Sequence, residues 1–242
     1  MREGALAQSG AAPLARPVGY QRWRDLLFLH WALPPAVVRA RVPAGLELDL
    51  HEGQAWVTVI PFRIEDSLPV GVPRALAMRF LETNLRTYVR GPDGEAGIFF
   101  WSLEASSLLA VLGARLAYGL PYFPARMSLD RTENRLVYTA RRWGSRARLA
   151  ATWTVGAPSG SAAPGTRDHF LVERYALYAA RRGGLHRARV RHQPYPLHEV
   201  RVEAVSESLL AAAGLPAPDR PPLCHASPGV DVDIFAPARV TP

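Results

Sequence analysis

The chain of 242 residues contains no lysine. All 29 of its basic residues are arginines, and the formal net charge is +8 at pH 7. The lysine amine is the side-chain group that forms a Schiff base with a carbonyl substrate. An arginine cannot replace it, because the guanidinium group stays protonated in proteins. The sequence therefore excludes catalysis through a lysine imine.

Cysteine and long apolar runs are also scarce. The single cysteine, Cys224, excludes a disulfide framework and a thiolate metal cluster. A membrane helix needs roughly 18 to 20 apolar residues, and the longest candidate, which starts at Leu26, is interrupted by His30 and Pro34. The first residues lack the apolar segment of a secretory signal. We therefore expect a cytoplasmic protein that does not enter a membrane.

Familiar catalytic and metal-binding motifs are absent too. The sequence has no P-loop, no GxGxxG, no HExxH and no GxSxG. His192 and His198 flank the extended segment QPYPL, which leaves a zinc site as an alternative to histidines at strand edges. Cys224 beside His225 raises the alternative of a thiol nucleophile, although a lone cysteine is more often a small core residue. The sequence predicts no metal and no cofactor.

Two segments concentrate the positive charge, residues 141–148 and 181–191. In the second segment Arg187, Arg189 and Arg191 alternate with small or apolar residues, as on the solvent face of an amphipathic strand. The same alternation would present a row of cations to RNA. Few aromatic side chains are interleaved, and single-strand binders use such rings to stack bases. The pattern therefore disfavours nucleic acid as a partner.

Hydrophobic alternation predicts about ten short strands and two or three helices. One strand covers residues 79–90 and ends at the turn GPDGEAG. A helix is predicted from about Glu104 to Tyr118, because leucines recur there at helical spacing. This pattern favours a mainly β fold of the α+β class, mostly antiparallel, with closure into a barrel as one option. Residues 1–16 are predicted to be a flexible tail, and residues 17–242 one domain.

The strand RFLETNLRTYVR carries three polar residues on one face. Glu82, Asn84 and Arg86 alternate along the strand, so all three project from the same side. A buried carboxylate needs a cation or several hydrogen-bond donors, and an arginine is a bidentate partner for it. This face is therefore either the wall of a polar site or a polar clamp between strands and helix. The sequence leaves both interpretations open.

Eight stretches resemble, in order, the YqjF or DUF2071 family of uncharacterised bacterial proteins. They run from about residue 22 to 240 and are LHWALPP, VPAGLELDLHEGQAWVTVIPF, FLETNLRTYVR, FFWSLEAS, ARLAYGLPYFPARM, ERYALY, RHQPYPLHEV and PPLCHASPGVDV. None of them is a catalytic signature. The layout is also similar to that of acetoacetate decarboxylase, which implies an antiparallel β-barrel or cone with two or three short helices around an apolar cavity.

The similarity to acetoacetate decarboxylase also implies positions for site residues. Arg24 falls where that family has an arginine that contacts substrate, and Glu82, two residues after Phe80, falls where it has a site glutamate. The segment ARLAYGLPYFPARM resembles the family's arginine-bearing helix, which is followed by Gly-x-Pro-Lys-Lys. Tyr122 and Phe123 stand in place of those two lysines, so the Schiff-base nucleophile is missing.

What this similarity implies is a cavity that holds a small organic acid or carbonyl compound. Arg24, Asn84 and Arg86 would bind the ligand, with the two arginines anchoring its anionic group. If no cation reaches Glu82, burial would raise its pKa and it would act as a general base. Tyr122 would donate a hydrogen bond to the developing oxyanion. Such a site suits lyase, isomerase or hydratase chemistry.

Two other functional classes stay open at this point. The same cavity would serve a non-catalytic ligand-binding or sensing module, in which Tyr122 is only a core residue. Alternatively, the arginine-rich face would bind acidic partners or nucleic acid. The oligomeric state is also open, with a homo-oligomer among the options.

Overall fold

The computed structural model describes residues 16–181 and 184–240, so residues 1–15 of the predicted tail lie outside the described part. The strands are β1 (Gly19–Leu33), β2 (Glu47–Leu48), β3 (Ala55–Pro69), β4 (Met78–Arg90), β5 (Ala96–Ala105), β6 (Tyr122–Thr132), β7 (Arg135–Arg142), β8 (Arg148–Gly160), β9 (Ala176–Arg181), β10 (Gly184–Arg191), β11 (Leu197–Glu207), β12 (Leu223–Ile234) and β13 (Ala238–Val240). The helices are α1 (Pro35–Arg39), α2 (Leu108–Tyr118), α3 (Arg167–Val172) and α4 (Leu209–Ala212). This content confirms the predicted mainly β fold class.

The thirteen strands form one hydrogen-bonded sheet that closes on itself in two ways. A nine-strand ring runs β5-β6-β7-β8-β11-β12-β1-β3-β4 and returns to β5. A seven-strand ring leaves out β6, β7, β8 and β11, because β9 and β10 bridge β5 to β12 directly. Among the described strand pairs, only those of β5 with β6 and with β9 are parallel. The sheet thus closes into two rings that share strands, which is the ring-like architecture expected from the sequence.

Strands β1, β3, β4 and β5, which both rings share, have buried residues on both faces. Because successive residues of a strand point to opposite faces, Leu27 and Leu29 of β1 join one apolar core, whereas Leu26 and Phe28 join another. The first core, which includes Trp153 of β8, is filled by side chains. The second core lies on the side of the seven-strand ring and surrounds a cavity. The unbroken apolar run of β1 thus follows from burial on both faces.

Helix α2 differs from its prediction in two respects. It begins at Leu108 rather than near Glu104, because Glu104 and Ala105 continue strand β5. Ala110 and Val111 are the buried residues of the helix, so α2 packs only a small part of its surface against the sheet. The leucines whose spacing predicted the helix are 51% to 83% exposed: Leu108, Leu109, Leu112 and Leu116. At 11 residues α2 is the longest helix, and none in the described part of the chain is long and apolar enough to cross a membrane.

Candidate functional site

A cavity of about 410 Å³ opens inside the seven-strand ring, with α2 along one wall. Most of its wall is apolar, with large side chains from β3, β4 and β5 such as Phe62, Phe80 and Phe100. The charged residues on the wall are few: Glu82, Arg86, Arg174 and Arg189. Apolar pockets with a few convergent polar groups are typical of small-molecule sites.

Four of the five predicted site residues line this cavity, and three of them come from β4. Glu82, Asn84 and Arg86 are 3%, 6% and 5% exposed. The antiparallel register between β3 and β4 is unbroken across these residues, so the alternation predicted from the sequence holds. The polar face of β4 is therefore an interior wall, not a solvent face.

Glu82 and Tyr122, the fourth residue, are directly hydrogen-bonded. The Tyr122 hydroxyl donates to Glu82 Oε2 over 2.7 Å. Burial raises the pKa of Glu82 to about 8, and the charge of Glu104 adds to this, against the opposing effects of Tyr122 and the nearby Asn84 amide. Burial and the neighbouring Glu82 raise the pKa of Tyr122 well above its usual range. A carboxyl group with such a pKa exchanges protons near neutral pH, which suits general acid-base work.

The connection from β5 through α2 to β6 sets the position of Tyr122. Ser107 caps the start of α2 by accepting a hydrogen bond from a backbone amide, and Gly119 ends the helix in the left-handed conformation with φ of 61°. The chain then enters β6, where Tyr122 pairs in parallel with Leu103. Arg115 Nε donates to the Tyr122 carbonyl oxygen over 2.7 Å. The phenol is thereby held on the same side as Glu82.

A second buried carboxylate, Glu104 of β5, shows the contrasting arrangement. Arg142 of β7 donates to Glu104 through Nε at 3.0 Å and through a second, shorter contact. Within residues 16–181 and 184–240, no cation lies within ion-pair distance of Glu82. Of the two alternatives open from the sequence, an arginine partner for Glu82 or burial without a cation, the geometry matches the second. The clamp interpretation therefore fits the pair of Glu104 and Arg142 better than it fits Glu82.

Arg86 is a buried cation on the cavity wall. Its Nη2 donates to the carbonyl oxygen of Leu171 over 3.2 Å, and its guanidinium lies 5.9 Å from the ring centre of Phe28 and 5.8 Å from that of Tyr88. Its Nε is buried and has no hydrogen-bond partner among the described residues. No described carboxylate is within ion-pair distance of it. Because a buried charge needs compensation, this wall is suited to an anionic ligand.

Arg174, just after α3, is a site residue that the sequence did not reveal. It lines the same cavity, and its Nη1 lies 2.9 Å from Asp49 Oδ2. Its guanidinium is 4.2 Å from the ring centre of Phe170, and its Nη2 is buried without a hydrogen-bond partner in the described structure. In the sequence Arg174 stands out only as part of the stretch ERYALY, which resembles the family. Its ion-pair partner Asp49 lies far away in the chain, so no local pattern indicates that Arg174 lines the cavity.

Arg24, the fifth predicted site residue, does not line the cavity. Its Nη2 contacts Asp231 Oδ1 at 2.5 Å, and its Nη1 donates to the carbonyl oxygens of Trp23 and Val230. The reason is a bulge at Asp25, whose φ is 57° and beyond which the register between β1 and β3 shifts. A bulge reverses the alternation of inward and outward residues. The structure therefore places Arg24 at the outer seam between β1 and β12.

The histidine and cysteine alternatives find little support in the geometry. His192 Nδ1 lies 2.7 Å from the Gln193 carbonyl oxygen, and His198 Nδ1 lies 3.1 Å from that of Gly156. In the described residues, no three His, Cys, Asp or Glu side chains are grouped to hold a metal ion. Burial raises the pKa of Cys224 to about 11, which disfavours the thiolate that a nucleophile needs.

The arginine row on β10 is neutralised within the fold. Arg187 and Arg189 each lie 2.6 Å from Glu95 Oε2, and Arg191 lies 2.6 Å from Asp233 Oδ2. These ion pairs occupy the guanidinium groups that the nucleic-acid alternative would need. The row is therefore better described as an ion-paired face of the sheet, with Arg189 also contributing to the cavity wall.

Solved structures share this fold. An acetoacetate decarboxylase-like enzyme from Sphingomonas wittichii RW1 is 19% identical, with 98% of each chain covered and a TM-score of 0.63. The enduracididine biosynthesis enzyme MppR complexed with pyruvate is 14% identical, with 94% of this chain and 92% of that chain covered and a TM-score of 0.66. Acetoacetate decarboxylase from Legionella pneumophila subsp. pneumophila str. Philadelphia 1 is 18% identical, with 99% and 98% covered and a TM-score of 0.63. These likenesses confirm the acetoacetate decarboxylase-like fold.

Sequence relatives identify the family. The uncharacterized protein YqjF of Bacillus subtilis (strain 168) is 39% identical over 225 residues, which is 90% of this chain and 90% of the relative. The sequence model of the DUF2071 family, described as an uncharacterized conserved protein, matches residues 20–231. The match runs from β1 into β12, and so includes at least part of every strand that surrounds the cavity. The chain therefore belongs to the DUF2071 family, as its sequence predicted.

Proposed function

We propose that the cavity binds a small organic acid or carbonyl compound and that Glu82 and Tyr122 catalyse proton transfer on it. Arg86, with Arg174 beside it, holds the anionic group of the ligand. The reaction class is acid-base chemistry next to a carbonyl group, as in an isomerase, lyase or hydratase. No side-chain amine takes part, because the chain has no lysine.

One observation carries this proposal: a buried arginine without a carboxylate partner and a buried carboxyl group without a cation, both among the described residues, open onto the same cavity. In a purely structural arrangement these two groups would neutralise each other, as Glu104 and Arg142 do. Their separation leaves one group free to bind an anion and the other free to move a proton. Perturbed carboxyl groups in clefts are candidates for functional sites on this physical ground.

The hydrogen bond between Glu82 and Tyr122 suggests how the proton moves. The ionised Glu82 removes a proton from the carbon next to the substrate carbonyl, and negative charge develops on the carbonyl oxygen. Once Glu82 carries that proton, it no longer needs the hydrogen bond from Tyr122, and the phenol donates to the oxyanion instead. Return of the proton to a different carbon or oxygen completes an isomerisation, and loss of a leaving group completes an elimination.

The fold relatives support the choice of ligand class. MppR was solved in complex with pyruvate, a small oxo acid, and the Legionella protein is an acetoacetate decarboxylase. Both proteins have the fold that this chain shares. Here Tyr122 occupies the position at which the family resemblance places a lysine, so the ligand would be held by hydrogen bonds and charge rather than by an imine.

The second candidate is a binding or sensing module that uses the same cavity without turnover. The observation that favours it is the 2.7 Å hydrogen bond between Tyr122 and Glu82, because both functional groups already satisfy each other without a ligand. In that case Arg86 would still hold the anion. The two candidates differ in whether a bound ligand is changed.

A thermal-shift screen with small carboxylates and oxo acids, followed by product analysis, tests the proposal. A ligand at 100 times its Kd raises the free energy of unfolding by about 2.7 kcal/mol, which is a measurable shift. Each hit is then incubated with wild type, with Glu82→Gln, and with the control Glu47→Gln, which changes an exposed carboxylate on β2. We expect turnover in wild type and Glu47→Gln, and its loss in a folded Glu82→Gln variant.

The outcomes separate the candidates. Binding without turnover in every variant would favour the sensing module over the enzyme. A library that leaves the melting temperature of the folded protein unchanged would contradict both. Turnover that survives in Glu82→Gln would remove Glu82 from the mechanism.

A further inference from the structure

The two functional groups of the cavity sit at separate poles. Glu82 and Arg86 are four residues apart on the same face of β4. A strand rises about 3.3 Å per residue, so their Cα atoms are roughly 13 Å apart. Asn84 lies between them, and its Oδ1 is buried without a hydrogen-bond partner in the described structure. We call the pair of Glu82 and Tyr122 the proton pole, and the pair of Arg86 and Arg174 the anion pole.

The surroundings of the two poles show that they do not interact directly. An opposite charge within about 4–6 Å favours the ionised carboxylate and lowers its pKa. The pKa of Glu82 is instead raised, and the groups that act on it are Tyr122, Glu104 and Asn84, with no arginine among them. The Arg86 guanidinium is directed to the Leu171 carbonyl oxygen and the Tyr88 ring.

At the anion pole both arginines contact the same aromatic ring. Both guanidinium groups lie beside the ring of Tyr88, at 5.8 Å for Arg86 and 5.2 Å for Arg174. Each has one buried nitrogen without a hydrogen-bond partner in the part of the chain that the structure describes, Nε in Arg86 and Nη2 in Arg174. Both arginines line the cavity, and Arg174 is already paired with Asp49, so Arg86 is the cation that a ligand carboxylate would compensate, with Arg174 beside it.

Apolar surface dominates the cavity beyond these poles. Its lining includes Ile60, Phe62, Ile98 and Phe100, and its volume of about 410 Å³ falls in the range of roughly 300–1,000 Å³ for pockets that bury drug-sized ligands. A three- or four-carbon acid would leave most of this surface in contact with water. The wall is suited to an apolar body that lies between two polar ends.

We infer that the substrate is an elongated oxo or hydroxy acid, with its acid group and its reacting oxygen separated by an apolar body of about six bonds or more. This inference rests on the proposed function. Side chains on one face of a strand stand roughly perpendicular to the sheet, so the roughly 13 Å between the Cα atoms approximates the separation of the two poles. One hydrogen bond of about 2.9 Å at each pole then leaves roughly 7 Å for the ligand. An extended chain advances about 1.2 Å per bond, which gives about six bonds. In a 2-oxo or 3-oxo acid the two groups are too close together to reach both poles.

A chain-length series measures the span. Isothermal titration is run on the wild-type protein with pyruvate, acetoacetate, 4-oxopentanoate, 7-oxooctanoate and 9-oxodecanoate. We expect the two longest acids to bind at least tenfold more tightly than the three short ones. The methyl ester of 9-oxodecanoate should bind at least tenfold more weakly than the acid, because it cannot use the anion pole.

Variants then assign each end of the ligand to its pole. In Arg86→Met we expect the preference for 9-oxodecanoate over its methyl ester to fall at least tenfold, because the remaining cation, Arg174, is already paired with Asp49. In Tyr122→Phe, which removes the phenol that donates to the oxo oxygen, we expect the preference for the acid over the ester to persist and the preference for 9-oxodecanoate over decanoate to be lost. Because the poles are far apart, the two losses should multiply in the double variant. If Arg86→Met does not fold, the comparison of acid and ester on wild type still tests the anion pole.

The failures of the two proposals are distinguishable. If pyruvate or acetoacetate binds as tightly as 9-oxodecanoate and depends on Arg86, the elongated substrate is wrong while the proposed function stands. If decanoate and 9-oxodecanoate bind equally to wild type, the proton pole does not recognise the oxo group and the inference is overturned. If no acid of any length binds to the folded protein, the proposed function falls and this inference falls with it.

Discussion

At the scale of single residues, the environment of the buried Glu82 carboxyl group sets the pKa and the charge of the candidate site. Its side chain is enclosed by apolar walls and accepts a hydrogen bond from Tyr122. The neighbouring Glu104, and not Glu82, pairs with Arg142. Desolvation disfavours the ionised form and no cation in the described structure offsets it, so the pKa rises to about 8. The same group is both a source of pH dependence and the candidate proton carrier.

The free energy of unfolding of the wild type should fall as the pH rises, and Glu82→Gln should abolish this pH dependence. In the unfolded chain Glu82 regains its ordinary pKa near 4.5, so between about pH 4.5 and 8 the unfolded state loses the proton first and folding becomes less favourable. The free energy of unfolding of wild type, relative to Glu82→Gln, should fall on the order of 5 kcal/mol across this window. Urea denaturation at a series of pH values measures the difference, and Glu47→Gln serves as the control. A difference that is constant with pH would contradict the raised pKa.

Tyr122→Phe tests the hydrogen bond between the two groups. The ring is kept, but Glu82 loses the donor that lowers its pKa, so we expect that pKa to rise above about 8. Removing the partner of a buried acceptor should also lower the free energy of unfolding by about 1–3 kcal/mol. The carboxyl band in the infrared spectrum, titrated against pH, reports the first effect. The matched change Tyr20→Phe, at a half-exposed tyrosine, should leave both quantities near their wild-type values.

Helix α2 shows how an element can form one cavity wall while burying little of itself. Small residues on its inner face leave space in front of Tyr122, and its leucines are exposed. Its position is set at its ends, by the Ser107 cap and by the left-handed Gly119. The stability of α2 should therefore depend on helix propensity and on its caps more than on core packing.

Two glycine-to-alanine substitutions, one within α2 and one at its end, should change the free energy of unfolding in opposite directions. Gly113 is in the helix, and nothing lies within 4 Å of an added Cβ, so Gly113→Ala should raise the free energy of unfolding by about 0.4–1 kcal/mol. Gly119 has a φ of 61°, and an added Cβ would lie 2.1 Å from Arg181 Nε, so Gly119→Ala should lower it by at least about 1 kcal/mol. Urea midpoints of the two variants measure both effects. Shifts of the same sign would contradict this account of α2.

At the scale of the whole molecule, one sheet encloses two different interiors. The core inside the nine-strand ring is filled with side chains such as Tyr138 and Trp153, whereas the seven-strand ring keeps a cavity. Strands β1, β3 and β4 belong to both rings, so the packed core also holds the rigid wall that carries Glu82 and Arg86. This arrangement places Glu82, Asn84 and Arg86 on a strand rather than on a loop, which favours fixed geometry.

The absence of lysine gives a prediction for the whole chain. Borohydride reduces an imine between a protein amine and a carbonyl compound to a stable adduct. Because the side chains contain no primary amine, treatment with pyruvate or 9-oxodecanoate and borohydride should label only the N-terminal amino group. Intact mass and peptide mapping give the number and position of adducts. An adduct on any peptide other than the first would contradict a mechanism free of imines.

Much of the site follows from local sequence patterns. Alternation along β4 places Glu82, Asn84 and Arg86 on one face, because the side chains of a strand alternate whatever surrounds it. The leucine spacing predicts a helix that ends at Tyr118, since helical period is also a local property. The lack of lysine excludes imine chemistry from the composition alone, because no fold can supply a side-chain amine that the chain does not contain.

Other features depend on contacts between distant parts of the chain, and only the tertiary structure decides them. The bulge at Asp25 turns Arg24 outward, and the carboxylate of Asp25 is held by Arg63 and by Arg131, which lies 106 residues away in the chain. The position of Arg174 on the cavity wall, paired with Asp49, is set by contacts between distant parts of the chain. Whether Glu82 has a cation partner depends on which strands flank β4. A periodic pattern fixes which residues share a face, whereas burial, partners and pKa depend on what the fold packs against that face.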